Sequence, residues 1–451
     1  MSEKKQRVAR RDFLKCAAVA GAALGVPQFI PGKLLGKDGE VAPSEKIVMG
    51  AIGIGSRGGH DLSVFLREKN VQFTAICDIR RERREAVKKM ADQKYGNNDC
   101  AMYRDMFEIL QRPDIDAILI ATGDRWHALA SIITAKAGKD IYCEKPLSLT
   151  IEDSRALADT VNRYGRIYQA GTQRRNIGNF LLAAKIAHSG KLGKITRVHA
   201  NTLHPATSND WKPEQPLPDP NEIDWDRWLG PCPWRPYNVA YTRGDWRGYF
   251  DFHGGGILEW GTHTVDLCQW GNQSDDTVPI KYWPVKESGK SEIPAWLRPA
   301  GATMQDEEGV RGTTVCAQYA NGVELVMRDR GWLGLGTCSA RYEGEEGWVE
   351  TGDSGRMAVS SDALRSEIKV FHEAGTSPDN HIREFLECVK TRRNPASNAN
   401  VAANAHIACH CAYIAWQLNR KVEFDPKTER FINDNDANRM ISRAKREPWR
   451  L

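Results

Sequence analysis

The 451-residue chain has 63 Lys and Arg residues against 58 Asp and Glu, and 41% of it is hydrophobic, which is typical of a soluble globular protein of two or three domains. Residues 1–40 hold eight of the basic and four of the acidic residues, so the rest of the chain is nearly neutral. This near-neutrality argues against nucleic acid as a partner, and the lack of any apolar run of about 20 residues argues against an integral membrane span.

The first 40 residues have the composition of a targeting segment. A basic region containing Arg10–Arg11 is followed by Phe13 and by a weakly apolar stretch over residues 16–26. This pattern resembles a twin-arginine export signal, which predicts a periplasmic or exported protein. An exposed basic helix is the alternative. We assign 1–40 to an export segment and leave it out of the fold prediction.

Strands and helices alternate from residue 45 to residue 172. Short apolar runs predict strands, and the intervening amphipathic segments predict helices. Such alternation is typical of a parallel sheet with helices on both faces. The predicted strands are 46–52, 71–77, 115–122, 140–143 and 166–172, and the predicted helices include 126–137 and 151–164.

The pattern changes after residue 172, and we predict a second domain over 173–451. A helix at 178–189 and a strand at 194–203 precede a long Trp- and Pro-rich segment, 205–250. Its tryptophans either cover a sheet or line a ligand cleft. Strand–turn–strand patterns at 312–330 and 338–350 predict hairpins, so this domain is expected to contain a large open, mainly antiparallel sheet.

The eleven cysteines form no CxxC pair, so no structural zinc site or disulfide framework is indicated. Cys409, His410 and Cys411, with His406 nearby, offer ligand types for a metal. They lie in an alanine-rich helical pattern, where packing is the favoured interpretation. We therefore predict no metal site.

A glycine-rich turn indicates a dinucleotide site. Gly53, Gly55 and Gly58 form GxGxxG between a predicted strand and a helix, and Asp78 follows the next strand. The glycines allow close approach of a pyrophosphate, and the carboxylate accepts hydrogen bonds from ribose hydroxyls. Asp78 would repel a 2′-phosphate, so NAD is favoured over NADP. Arginines at 57, 80 and 81 leave NADP as an alternative.

Five motifs in order resemble the Gfo/Idh/MocA oxidoreductase family. They are the glycine fingerprint, ATGDRWH at 121–127, EKP at 144–146, GTQRR at 171–175 and EWGTHTVD at 259–266. The resemblance extends over residues 46–451. It implies a Rossmann domain at 45–172, a C-terminal α/β domain, and assembly as a homodimer or homotetramer. Gly123 stands where the family often has proline.

The resemblance also implies the site residues. Lys145 matches the family's active-site lysine, and His263 matches the histidine of its DxxxH motif. Glu259 replaces the aspartate of that motif and either orients His263 or faces a differently placed hydroxyl. The expected cofactor-binding set is Gly53, Gly55, Ser56, Arg57, Gly58, Asp78, Thr122, Trp126, His127, Glu144, Lys145 and Gln173. Candidate substrate contacts are Arg174, Tyr249, His253 and Asp266.

Oxidation of a secondary alcohol requires a hydride acceptor and a proton acceptor. Lys145 and His263 are both candidates for handling the proton, and the sequence does not divide the task between them. The favoured function is an NAD-dependent oxidoreductase acting on a hydroxyl of a sugar, cyclitol or glycoside. One alternative is a glycosidase that uses bound NAD in a redox-neutral cycle. Another is a non-catalytic sugar-binding protein.

Overall fold

The computed structural model describes residues 41–285, 314–329, 333–371 and 379–449. The predicted export segment lies outside these residues. The chain divides into a short N-terminal unit ending at Lys46, whose described part holds a single 3₁₀ turn, and a large unit, Ile47–Leu451. In the described residues, no helix combines the length and apolar character that a bilayer span requires.

The first part of the large unit is a six-stranded parallel sheet in the order β3-β2-β1-β4-β5-β6. The central strands are buried on both faces, as parallel strands flanked by helices must be. The strands are β1 Ile47–Ile54, β2 Val71–Cys77, β3 Ala101–Tyr103, β4 Ala117–Ala121, β5 Asp140–Cys143 and β6 Tyr168–Ala170. The helices are α1 Ser56–Phe65, α2 Arg81–Tyr95, α3 Met106–Leu110, α4 Asp124–Lys136 and α5 Ile151–Arg163.

The second part is a nine-stranded sheet in the order β13-β12-β11-β7-β10-β9-β8-β14-β15. Only β7 and β10 pair in parallel, and the other pairs are antiparallel. The strands are β7 Ile195–Asn201, β8 Lys281–Pro284, β9 Val315–Gln318, β10 Glu324–Arg328, β11 Ala340–Gly344, β12 Trp348–Thr351, β13 Met357–Val359, β14 Val422–Asp425 and β15 Arg430–Phe431. The predicted fold class, a Rossmann sheet plus a mainly antiparallel sheet, is confirmed.

Helices of the second part pack on both sheets. They are α6 Gly178–His188, α7 Trp225–Leu229, α8 Gly256–Glu259, α9 Gly261–Gly271, α10 Asp362–Phe371, α11 Asp379–Thr391, α12 Ala399–Leu418 and α13 Asn435–Arg439. Phe385 and Leu386 of α11 join one core of the first sheet, and Ala402 and Ala403 of α12 join the other. The two sheets are therefore held together by late segments of the chain.

The Trp-rich segment forms a core of its own. Trp225 stacks on Trp228 with ring centroids 4.7 Å apart, and Tyr241 packs against both rings. Trp211 and Trp234 remain exposed. Trp228 and Trp246 line the cavity of the candidate site, which agrees with the ligand-cleft interpretation for these two residues. Residues 219–247 lie in the segment that follows β7 and pack across the first sheet. We call them the insert.

Candidate active site

The carboxyl ends of the parallel strands place the predicted cofactor residues side by side. Ile52 pairs with Cys77, and Ile54 pairs with Ala121. Cys143 pairs with both Ile120 and Ala170. The residues that follow these strands therefore meet at one edge of the sheet, where doubly wound folds bind ligands. They are Gly55, Asp78, Thr122, Glu144 and Gly171.

The glycine turn after β1 has no room for side chains. Gly53 has φ +71°, and a Cβ there would lie 2.5 Å from the Thr122 Cγ2 atom. A Cβ on Gly58 would lie 2.6 Å from the Ala121 Cβ atom. Helix α1 begins at Ser56, directly after Gly55, so its backbone N–H groups lie at this edge. This geometry fits a pyrophosphate on the helix N-terminus.

The Asp78 carboxylate is fixed by the backbone. Its Oδ2 accepts from the Ile54 N–H at 2.9 Å, and its Oδ1 accepts from the Arg80 N–H at 2.9 Å. Burial raises the pKa of Asp78, and these two hydrogen bonds act against that rise. Each oxygen keeps a further lone pair for a ribose hydroxyl. The carboxylate is thus held where a dinucleotide's adenosine ribose is expected.

The three arginines named as NADP alternatives lie in different places. Arg80 lines the cavity, and its Nη1 donates to the Thr242 carbonyl at 2.7 Å. Arg57 also lines the cavity, but its guanidinium contacts Asp61 and Glu144. Arg81 is paired with Glu85 and Glu222 on the surface. Of the three, Arg80 alone lies at Asp78.

A cavity of about 560 Å³ runs along this edge and into the second part of the molecule. Its volume suits a bound organic ligand. All the predicted catalytic and cofactor-binding residues line it, together with Arg174; they are Gly53, Gly55, Ser56, Arg57, Gly58, Asp78, Thr122, Trp126, His127, Glu144, Lys145, Gln173, Glu259 and His263. The structure therefore brings these sequence-predicted residues together in one place.

Two buried histidines hold the turn that carries Lys145. The Nδ1 of His127 lies 2.7 Å from the Pro146 carbonyl, and the Nε2 of His406 accepts from the Leu147 N–H at 2.7 Å. His406 Nδ1 lies 2.6 Å from the Ala402 carbonyl and donates to it, so Nε2 is the accepting nitrogen. The sequence offered no signal for this role of His406, which belongs to α12.

The Lys145 ammonium points toward Glu259. Its Nζ donates to the Glu259 carbonyl at 2.8 Å and to the Oε1 atom at 3.1 Å. The neighbouring Glu144 faces elsewhere, because its Oε1 accepts from Gln173 at 2.8 Å and from Arg57 at 3.4 Å. The charge that compensates Lys145 is therefore supplied from 114 residues away.

Glu259 does not orient His263 through a hydrogen bond among the described residues. Their spacing of four residues would place them on one face of a single helix, but α8 ends at Glu259 and α9 begins at Gly261. Glu259 Oε2 instead accepts from His253 Nε2 at 3.2 Å. Burial opposes its ionisation, but Lys145 and His253 together hold the pKa of Glu259 well below its usual range. Glu259 therefore stays ionised.

His263 is a neutral imidazole in the cavity wall. Burial lowers its pKa well below the usual value, and the positive charges of Arg174 and Lys145 lower it further. Its Nδ1 is buried and has no hydrogen-bond partner among the described residues. Because the ring lines the cavity, a neutral imidazole at this position can exchange a hydrogen bond with a substrate hydroxyl.

Three of the four predicted substrate contacts lie outside the lining of the cavity, which includes only Arg174 among them. Tyr249 is fully buried in the aromatic core of the Trp-rich segment, beside Arg235. Asp266 is buried in an ion pair with Arg175. His253 lies behind Glu259, with none of its surface exposed. Each of these three side chains has a buried partner or a packed ring instead.

One group of side chains has metal-ligand spacing in the described residues. Asp124, His253 and Glu259 offer ligand atoms within 4.8 Å of one another. A metal-bound histidine normally donates from its other nitrogen. Here the His253 Nδ1 accepts from the Gly255 N–H at 3.0 Å, so Nε2 carries the proton. This group therefore does not fit a metal. The Cys409–Cys411 segment is buried packing with no such cluster in the part described.

The insert is attached directly over the cofactor edge. Arg125 Nε donates to the Trp228 carbonyl at 2.7 Å, and its guanidinium lies 3.5 Å from the centroid of the Trp228 ring. Trp126 Nε1 donates to the Arg227 carbonyl at 2.9 Å. Gly123 leaves the space that Arg125 Nη1 fills, because a Cβ there would collide with that atom. Gly123 thus makes room for Arg125, and Arg125 binds the insert. This explains why glycine stands where the family often has proline.

Two family models match the chain. The model described as an oxidoreductase family NAD-binding Rossmann fold matches residues 47–172. The model described as the oxidoreductase family C-terminal alpha/beta domain matches residues 184–451. Both belong to Gfo/Idh/MocA, and the second alone matches more than half of the chain.

Curated relatives are similar over part of their length. An alpha-N-acetylgalactosaminidase from Shewanella oneidensis is 35% identical over 173 residues, which are 34% of this chain and 37% of the relative. An inositol 2-dehydrogenase from Pseudomonas fluorescens is 29% identical over 185 residues, which are 40% of this chain and 54% of the relative. The chain thus spans about a third to a half of the relatives' length.

Solved structures share the fold. An aldose-aldose oxidoreductase from Caulobacter crescentus, complexed with glycerol, has a TM-score of 0.56 at 18% identity and covers 84% of this chain and 100% of that one. The WlbA dehydrogenase from Bordetella pertussis, in complex with NADH and UDP-GlcNAcA, has a TM-score of 0.58 at 16% identity, over 84% and 98%. The two family models show that the chain belongs to the Gfo/Idh/MocA oxidoreductase family.

Proposed function

We propose that this protein is an NAD-dependent oxidoreductase acting on a secondary hydroxyl of a sugar, cyclitol or glycoside. The observation that carries the proposal is the position of the Lys145 ammonium. It lies in the same cavity wall as His263 and at the same sheet edge as the glycine turn. A proton-handling pair and a nucleotide cradle thus share one cavity. A sugar-binding protein without catalysis would not need this arrangement.

The side chains fit distinct roles in that chemistry. NAD, when bound, supplies the hydride acceptor. Lys145 stays close to Glu259, which takes two of its three N–H donors, and the third can stabilise negative charge that develops on a substrate oxygen. Neutral His263 can accept the hydrogen of the same hydroxyl. Lys145 thus stabilises the oxygen, and His263 takes the proton that the hydroxyl loses as it is oxidised.

The direct test is to purify the full-length protein, denature it, and identify any released nucleotide. The native protein is then assayed with free sugars, cyclitols and aryl glycosides, with and without added NAD. Formation of NADH in step with sugar oxidation supports the dehydrogenase. If the protein neither carries nor binds NAD or NADP, and converts no member of the panel, the proposal fails.

A second candidate is glycoside cleavage with no net redox change, and the attachment of the insert favours it. The insert residues Glu222, Asp224, Arg227 and Thr242 all bond to the loops that follow the strands of the first sheet. Such a cover slows cofactor exchange, which suits a cycle that regenerates its own NAD. The predicted export of the chain points the same way, because free NAD is scarce outside the cytoplasm. Glycoside cleavage without net NADH would identify this activity.

We expect Arg125→Leu to weaken retention of the cofactor. The change removes both the hydrogen bond to the Trp228 carbonyl and the stacking on its ring, so the insert loses one of its attachments. The measurement is the fraction of nucleotide that remains bound after gel filtration, which should fall several-fold. Arg393→Leu, on an exposed surface pair, serves as the control. Equal retention of nucleotide in the two variants would contradict the proposal that the insert slows cofactor exchange.

We expect Asp78→Ala to shift the cofactor preference from NAD toward NADP. The change removes a carboxylate that accepts from the ribose and repels a 2′-phosphate, and it leaves Arg80 in place. Hydrogen bonds to charged groups contribute about 1.5–3 kcal/mol, so affinity for NAD should fall about tenfold or more. Titration of both cofactors by calorimetry measures the shift. Arg81→Ala serves as the control. Because Arg81 lies outside the cavity, its replacement should change the affinity for neither NAD nor NADP.

Periplasmic localisation by a twin-arginine signal is part of the proposal and rests on the sequence of residues 1–40. Assembly as a homodimer or homotetramer is proposed from the family resemblance. Fractionation of cells that express the full-length chain tests the first point, and light scattering of the purified protein tests the second.

A further inference from the structure

A line of buried side chains leads away from Lys145 behind the cavity wall. Lys145 Nζ contacts Glu259 Oε1 at 3.1 Å, and Glu259 Oε2 contacts His253 Nε2 at 3.2 Å. The same His253 nitrogen lies 4.0 Å from Asp124 Oδ2. His253 has no exposed surface, and Asp124 Oδ2 is buried with no hydrogen bond among the described residues. The two oxygens of Glu259 therefore have different tasks.

The backbone fixes the protonation of His253. Its Nδ1 accepts from the Gly255 N–H, so in the neutral ring the proton resides on Nε2, which points to Glu259. The tight turn at Gly255, with φ +77°, brings that N–H within hydrogen-bonding distance of the His253 Nδ1 atom. His253 is thus oriented as a hydrogen-bond donor before any ligand arrives.

We propose that His253 is a positioning residue, which holds the Glu259 carboxylate ionised and oriented so that Lys145 is directed at the substrate oxygen. This inference rests on the role of Lys145 in the proposed function. It gives the glutamate that replaces the family's aspartate a partner of its own. The longer side chain contacts both Lys145 and His253.

The charges around Glu259 determine how the stability of the protein depends on pH. Lys145 and Arg247 face it from two sides, with the Arg247 Nε 3.9 Å away, and Asp124 lies beyond His253. Burial raises the pKa of Asp124, and Glu259 raises it further, while His253 and His127 lower it. Since the folded state depresses the pKa of Glu259, its ionisation stabilises the protein at neutral pH, and this contribution is lost on acidification.

The test compares His253→Phe, which cannot donate, with His253→Gln, whose amide N–H reaches toward the position of Nε2. Neither residue titrates, so their difference isolates the donated hydrogen bond. We expect the Tm of the Gln variant to exceed that of the Phe variant most at pH 7, and the gap to narrow toward pH 3. In the Glu259→Gln background the gap should not depend on pH. If the Phe ring does not fit, His253→Leu replaces it as the non-donor.

The activity readout uses whichever substrate the assay panel identifies. In the Phe variant the acid limb of the kcat/KM profile should move up by about one to two pH units. Loss of a hydrogen bond to a charged group raises the pKa of that group by about this amount. The Gln variant should keep the wild-type limb. His204→Phe is the matched control, since His204 Nδ1 accepts from the Ala206 N–H in the same way, outside the cavity lining.

Identical pH dependence of Tm and of kcat/KM in the Phe and Gln variants would overturn the inference. The Tm measurement needs no substrate, so it still decides the role of His253 if the proposed oxidoreductase activity is not found. A uniform loss of activity at every pH would mark His253 as merely structural and would also overturn it.

Discussion

Replacing Lys145 with methionine is expected to lower kcat by about 100- to 1,000-fold, the cost of removing one donor that stabilises a developing oxyanion. Methionine keeps the length of the side chain and fills the same space without a charge. Glu259 still contacts His253, so the cavity should keep its shape. Nucleotide binding should be nearly unchanged, because the glycine turn and Asp78 are separate from this contact.

The matched control for this prediction is Lys139→Met at the opposite end of the same strand. Lys139 is also largely buried, and its Nζ donates to the Arg112 carbonyl at 2.7 Å, far from the carboxyl edge. It should lose stability without a comparable loss of kcat. Both variants are assayed for NADH formation and for bound nucleotide. Equal activity of wild type and Lys145→Met would remove Lys145 from the mechanism.

The nucleotide half of the site follows from local sequence patterns. Strands β2 and β5 begin and end where the apolar runs do, and Asp78 and Glu144 follow them directly. In a parallel sheet, the residue after each strand lies at the same edge, so a correct strand assignment also places the cofactor residues. This is why Gly53, Asp78 and Lys145 were placed together before the fold was known.

The substrate half depends on contacts between distant segments, which periodicity does not encode. Glu259 meets Lys145 across 114 residues, and His406 meets Leu147 across 259. The sequence left two roles open for Glu259, orienting His263 or facing a hydroxyl, and the helix break at Trp260 turns its carboxylate toward His253. Burial also decides the position of Tyr249, because the aromatic rings of the Trp-rich segment close over it.

Arg175→Met is expected to lower the free energy of unfolding by about 3–5 kcal/mol, as breaking one side of a buried ion pair does. Arg175 Nε donates to Asp266 Oδ2 at 2.7 Å, and both side chains are almost completely buried. Without the guanidinium, Asp266 keeps a buried carboxylate and no compensating charge. Thermal and denaturant unfolding measure the loss. Because Asp266 does not line the cavity, the KM of the folded variant should not change.

Arg174→Met provides the neighbouring control, since Arg174 lines the cavity and pairs with the partly exposed Asp353 at 2.8 Å. Its loss should cost less stability than the loss of Arg175, because Asp353 keeps access to water, and any functional effect should fall on KM. The double variant Arg175→Met/Asp266→Leu should recover part of the lost stability, because it removes the stranded charge. A large change in KM for Arg175→Met, with unfolding unchanged, would return Asp266 to the substrate site.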